Sequence, residues 1–216
     1  MTARLLTAAA GLSVSSALVI VPNALAQGSL FTTVPVDQTK FILVAAPIGS
    51  GERSQLNIYE QRSDKRPCFA VGSGTPAPVD PLLSTFDFTG ICNRYIDGNG
   101  YSLRIGGNDL GTRYRLTVVN TGKDVELLAA PTRDRSQPTL TVARAGASGS
   151  GFLQLNLEPG WSLMRRAYGK KPLGHIYVYR DATVIQPTVE QQPTVEQQPI
   201  DATKGSDAAG EPKTGD

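Results

Sequence analysis

The chain has 216 residues, with 21 Lys and Arg against 19 Asp and Glu, two cysteines and one histidine. That length allows one domain of ordinary size, and a 40% hydrophobic content excludes a chain disordered throughout. The charge is split, a formal +6 over residues 27–180 and a formal −5 over 181–216, but no basic helix, aromatic-interleaved motif or zinc spacing accompanies it, which excludes a nucleic-acid binder.

The first residues read as an address. Arg4 supplies a positive start, 5–21 is an apolar run rich in small residues, Pro22 breaks it, and Ala24-Leu25-Ala26 fits an A-x-A cleavage site. The expectation is a signal peptide over 1–26, a domain over 27–182 and an acidic tail over 183–216. No later run approaches the ~20 apolar residues that span a bilayer, so no transmembrane segment is expected after the leader. Export would place the protein in the periplasm, at the cell surface or outside the cell.

Beyond the leader the chain reads as short strands. Phe41 to Ala45 is a continuous apolar run closed by Pro47 and Gly49-Ser50-Gly51. Leu56, Ile58 and Glu60 alternate against Asn57, Tyr59 and Gln61, while 72–81 is rich in Gly and Pro and reads as a loop. Tyr114, Leu116 and Val118 share one face and Arg113, Arg115 and Thr117 the other. Further strands are expected at 125–130, 139–144, 152–157, 161–167 and 175–180, with Glu158-Pro159-Gly160 as a turn. No helical spacing persists over a dozen residues. About ten short strands with frequent turns predict an all-β domain, a single antiparallel sandwich or barrel. Trp161, Phe152, Phe86, Phe88, Leu103, Leu116 and Val118 are the core candidates. The tail carries a direct repeat, PTVEQQ at 187–192 and 193–198, too poor in hydrophobics to fold. It reads as a disordered spacer or tether.

The stretch 84–107, STFDFTGICNRYIDGNGYSLRIGG, organises the rest. It predicts a strand holding Phe86, Phe88 and Ile91, a cysteine corner, an Asp97-Gly98-Asn99-Gly100 turn, and a strand holding Tyr101, Leu103 and Ile105. Gly98 and Gly100 allow φ > 0, and Asp97 and Asn99 tolerate it and can bond their own backbone. Cys92 has Cys68 as its possible partner. A bridge between them would close a loop of about 25 residues and contribute roughly 3–4 kcal/mol. A reactive thiol with His175 as base is the alternative.

The residues that carry chemistry form no decisive pattern. Asp87, Asp97, Asn99, Asn108 and Asp109 bring oxygen atoms close in sequence, which could serve calcium, but the Glu that ends an EF-type loop is missing and a turn explains them without metal. Asp87 and Asp109 could face one another as a carboxylate pair. His175 could join a Ser and an Asp, but no G-x-S-x-G elbow is present. Gly106, Gly107 and Gly111 make no phosphate loop, because no helix follows. No catalytic residue, metal or cofactor is assigned; Asp87, Asp97, Asn99, Asp109 and His175 remain as a polar-site hypothesis. The basic body favours anionic partners such as acidic glycans or lipid head groups, set against scattered solubilising charge.

FDFTGIC at 86–92, GYSLRIGG at 100–107 and LGHIYVY at 173–179 resemble a cyanobacterial secreted family known as domain of unknown function 3747. DQTKFILVAAPIG at 37–49, RPCF at 66–69 and PGWSLMRR at 159–166 are similar to the same family. The resemblance implies a paired Cys68 and Cys92, an envelope location and a photosynthetic bacterial host; it implies no activity. Three functional readings follow: a non-enzymatic envelope or periplasmic domain that binds a glycan or protein partner, a structural or assembly component, and a secreted hydrolase using acidic residues of 87–109 or His175.

Overall fold

The computed structural model describes residues 29–182; the expected leader and the whole of the expected tail lie outside them. Among the described residues fourteen strands follow one another. They are β1 (Thr32–Pro35), β2 (Phe41–Ile48), β3 (Arg53–Gln61), β4 (Ala70–Val71), β5 (Val79–Asp80), β6 (Cys92–Tyr95) and β7 (Tyr101–Ile105). Then come β8 (Asn108–Asp109), β9 (Tyr114–Asn120), β10 (Val125–Pro131), β11 (Leu140–Arg144), β12 (Leu153–Leu157), β13 (Trp161–Tyr168) and β14 (Lys171–Arg180). Short 3-10 turns occupy Gln38–Lys40 and Leu82–Thr85, and no described helix is long and apolar enough to cross a membrane.

Two sheets hold these strands. One runs β6-β3-β2-β12-β11-β10-β9 and the other β1-β13-β14-β7-β8, with β4 and β5 as a separate ribbon. The larger sheet curls until β3 and β9 approach without forming a ladder, and β7 of the smaller sheet lies against β9. The result is an all-β sandwich whose larger layer is a half-barrel, as its strand pattern predicts. Its strands are antiparallel apart from β14 and β7, which pair in parallel with Ile176 opposite Tyr101 and Arg180 opposite Ile105.

Alternation places the core. Tyr101, Leu103 and Ile105 of β7, Trp161 and Leu163 of β13, and Ile176 and Val178 of β14 face Leu56, Ile58, Leu127 and Val142 of the half-barrel. Leu103, Leu127, Ile176 and Val178 are fully buried. The β2 run is continuously apolar because both its faces are covered. Leu43 and Ala45 enter the main core, while Ile42 and Val44 meet a second cluster with Tyr59, Leu83, Cys68 and Cys92.

That second cluster revises the reading of 84–107. Phe86, Phe88 and Ile91 belong to no strand: 82–85 is a 3-10 turn, 86–91 is a loop, and β6 begins at Cys92 itself. Phe86, Phe88 and Phe152 are partly buried against the second cluster, not in the main core. Leu116 only packs on the main core's edge, while Trp161, Leu103 and Val118 are within it. The staple is present: Cys68 and Cys92 are bonded, with Cα atoms 5.8 Å apart. It ties the 62–91 excursion to the first residue of β6.

The turn at 97–100 is present, closed by its own aspartate and without use of the freedom its glycines offer. Neither Gly98 nor Gly100 is among the glycines with positive φ. The Asp97 carboxylate closes the turn by accepting from the Asn99 N–H at 2.9 Å and the Gly100 N–H at 3.3 Å. Gly100 is required by proximity instead: a Cβ there would sit 3.0 Å from Tyr95 Cβ and 3.1 Å from Tyr95 Cα.

Candidate functional site: a cleft and the polar network behind its wall

Where β9 approaches β7 and β3, the surface opens into two adjoining clefts. One, of about 400 Å3, is walled by Gly98, Ser102, Gly111, Tyr114 and Thr132. The other, of about 580 Å3, lies between Arg53, Ser54 and Gln55 of β3 and Thr117 and Asn120 of β9. Tyr101, Arg115 and Leu116 belong to both walls. Tyr101 seals the junction: its hydroxyl donates to the Leu56 carbonyl at 3.1 Å. Burial, with the negative charge of Asp97 adding to it, pushes that hydroxyl up to about 12.

Behind the 98–111 wall lies a buried polar network on the outward face of the smaller sheet. It exists because β7 and β14 alternate: Ser102 and Arg104 stand back to back with the core residues of β7, as do His175, Tyr177 and Tyr179 with those of β14. His175 is only 5% exposed and Ser102 8%. The His175 Nδ1 lies 2.8 Å from the Asn99 carbonyl oxygen and its Nε2 2.9 Å from Ser102 Oγ. A carbonyl can only accept, so Nδ1 carries the proton and Nε2 accepts from the Ser102 hydroxyl. Burial holds the ring below the ordinary histidine range, with the nearby Arg166 charge acting in the same direction.

Asp109 is the anionic centre of the network. Its Oδ2 accepts from the Tyr177 hydroxyl at 2.7 Å and from Arg166 at 2.9 Å, and its Oδ1 accepts from the Gly111 N–H at 3.1 Å. Burial opposes its charge, but these bonds and the charges of Arg166 and Arg104 outweigh it and hold the carboxyl below its usual range. The Arg166 Nε donates to the Tyr177 hydroxyl at 2.6 Å, and the Arg104 and Arg166 guanidinium carbons lie 5.1 Å and 4.8 Å from the Tyr177 ring centre. The smaller sheet's register slips between Arg165 and Ala167. Strand alternation sends the consecutive arginines to opposite faces: Arg166 reaches Asp109 outside, while Arg165, in phase with Trp161 and Leu163, reaches Glu60 between the sheets at 2.6 Å. Glu60 also accepts from Tyr95 at 2.6 Å and Asn93 at 2.7 Å.

Of the five polar-site residues singled out in the sequence, three come together: Asn99, Asp109 and His175. Asp97 is their neighbour in the turn. Asp87 stands apart beside the disulfide corner, bonded to the Thr89 N–H at 3.0 Å, and no described interaction joins it to Asp109 as a carboxylate pair. None of these groups lines the clefts itself. They act through the wall, with His175 fixing the 97–100 turn and Asp109 fixing Gly111. A Cβ on Gly111 would come within 3.0 Å of Ser102 Cβ. Sequence reasoning did not single out Ser102, Arg104, Arg166, Tyr177 or the Glu60–Arg165 pair. Glu60 left one signal, since its alternation with Leu56 and Ile58 put a carboxylate on an apolar face. Among the described residues no three His, Cys, Asp or Glu side chains group to hold a metal ion.

The runs GYSLRIGG, PGWSLMRR and LGHIYVY supply β7, β13 and β14, and with them most of this network. The sequence model of the family described as Protein of unknown function (DUF3747) matches residues 6–183. Neither a search of curated proteins nor one of solved structures returned a match. The chain belongs to the DUF3747 family, whose residues here fold into an all-β body with a walled cleft.

Proposed function

We propose that the protein is an exported, non-enzymatic domain of the cell envelope that binds an envelope polymer or partner protein along this cleft. The observation that carries the reading is an unanswered positive charge in a preformed groove. Arg53 and Arg115 line the cleft and enter none of the ion pairs among the described residues. The leader reading of 1–26, the disulfide and the spacer-like tail support export into an oxidising compartment. The test combines fractionation of the producing cell with co-sedimentation of purified protein on isolated envelope material. The reading predicts an envelope or periplasmic location, retention on that material, and loss of retention in Arg115→Glu. A strictly cytoplasmic protein, or one retained equally well after charge reversal, contradicts it.

A second reading, a secreted hydrolase, is favoured by one specific observation: the Ser102 hydroxyl donates to a neutral His175 and Ser102 forms part of a cleft wall. A fluorophosphonate probe decides it. Covalent labelling of Ser102 that disappears in His175→Asn supports the hydrolase; unlabelled protein rejects a nucleophilic Ser102.

A further inference from the structure

We infer, resting on the cleft reading above, that the ligand is a linear anionic glycan bearing carboxylates. Three features of the walls converge on that chemistry. The first is charge of a particular shape: Arg53 comes from β3 and Arg115 from β9, so two guanidinium forks flank the seam from opposite banks. A planar fork matches a carboxylate in two parallel hydrogen bonds. Glu52 also lines this cleft but pairs with neither arginine among the described residues.

The second feature is the hydrogen-bonding lining. Ser54 and Thr117 bring hydroxyls that make no hydrogen bond among the described residues, and Gln55, Asn120 and Thr132 add polar atoms already held by Asn57, Gly149 and the Thr112 and Arg113 carbonyls, a lining that suits a ligand rich in hydroxyls. Tyr114 adds a half-exposed aromatic wall. The third is length. The cleft follows β9 from Tyr114 to Asn120, roughly 20 Å of strand, enough for several sugar rings in line.

The same walls disfavour other anions. A lipid headgroup would bring acyl chains to an apolar surface, yet the exposed large hydrophobics Leu30, Val71, Ile96 and Tyr168 lie outside both clefts. Addition of an acidic peptide along the β3 edge is opposed by the Tyr101 hydroxyl, which already occupies the Leu56 carbonyl there.

The experiment is calorimetric titration of the full chain with an oligogalacturonate, with its carboxyl-reduced neutral counterpart of equal length, and with a single-stranded oligonucleotide of equal charge. Binding of the first at least about tenfold tighter than of the other two supports the inference, since charged hydrogen bonds are lost with the carboxylates. Arg53→Ala and Arg115→Ala should each weaken binding about tenfold or more, and Arg115→Lys should weaken it too, because charge without the fork is insufficient. Arg133→Ala, an exposed arginine outside the clefts, serves as control and should bind unchanged; thermal melts confirm that each variant is folded. No binding, equal binding of the neutral or nucleic-acid ligand, or arginine variants that bind as the parent does overturn the inference. Retention on envelope material abolished by Arg115→Glu, alongside a failed titration, would leave the cleft reading standing and remove the glycan alone.

Discussion

His175 and Asn99 meet across the wall of the cleft, ring nitrogen Nδ1 to backbone carbonyl at 2.8 Å. That bond sets the tautomer of the histidine, turns Nε2 toward Ser102, and fixes the middle of the 97–100 turn. A side chain that resembles a catalytic base in sequence thus positions the backbone beside a binding surface.

The histidine makes stability depend on pH in a window of its own. Its native pKa lies below the unfolded value near 6.5 because the buried ring resists charging. The unfolded chain therefore binds more protons as pH drops below about 6.5, and stability falls until the lowered native pKa is reached. This is the chain's one histidine, while Asp109 and Glu60, also lowered, lose their contribution only as pH falls through the carboxylate range. Denaturant melts from pH 7 to pH 5 should show declining stability in the parent and a flatter profile in His175→Asn. An unchanged slope in the variant would assign the effect elsewhere.

Removing the staple should be costly. Cys68 and Cys92 are separated by 24 residues, and releasing a loop of that size costs roughly 3–4 kcal/mol in the chain-entropy model. Reduction, or Cys68→Ser with Cys92→Ser, should lower the denaturant midpoint accordingly and loosen the Phe86–Phe88 loop first. Alkylation of the native protein without reductant should leave both sulfurs unmodified.

The Glu60–Arg165 pair between the sheets should be strongly coupled. Glu60→Ala strands a largely buried guanidinium, whose side chain is 17% exposed, and should cost about 3–5 kcal/mol. Replacing both partners with methionine should cost less than Glu60→Ala alone. A double-mutant cycle on chemical denaturation reads the difference, and additive effects would deny the coupling.

Two small substitutions probe the cleft wall. Tyr101→Phe leaves the Leu56 carbonyl without its donor and should cost about 1–3 kcal/mol. Gly111→Ala pushes against Ser102 Cβ and should shift the amide resonances of 98–103 with a modest loss of stability. A Gly111→Ala spectrum that matches the parent would mean that the wall yields at no cost.

Much of the fold was legible because alternation is a local signal. GHIYVYR and YSLRI each declare an apolar and a polar face, and β14 and β7 follow them. The parallel pairing of those strands was not legible, since partner choice is a long-range property. Phe86 and Phe88 misled because their spacing of two mimics a strand, while the staple and the Leu82–Thr85 turn hold them in a loop. Arg166 stayed hidden because an arginine on a strand's polar face reads as solvated. Its meaning appeared only when β8 brought Asp109 beside it.

The most direct test of the account is a hydrogen-exchange footprint of the full chain bound to isolated envelope material. The account predicts new protection along β9 and the 97–103 and 110–114 segments that face the cleft, with the 66–92 disulfide corner unchanged. Protection confined to that corner or to the β1 edge, with the cleft segments exchanging as in the free protein, would contradict it.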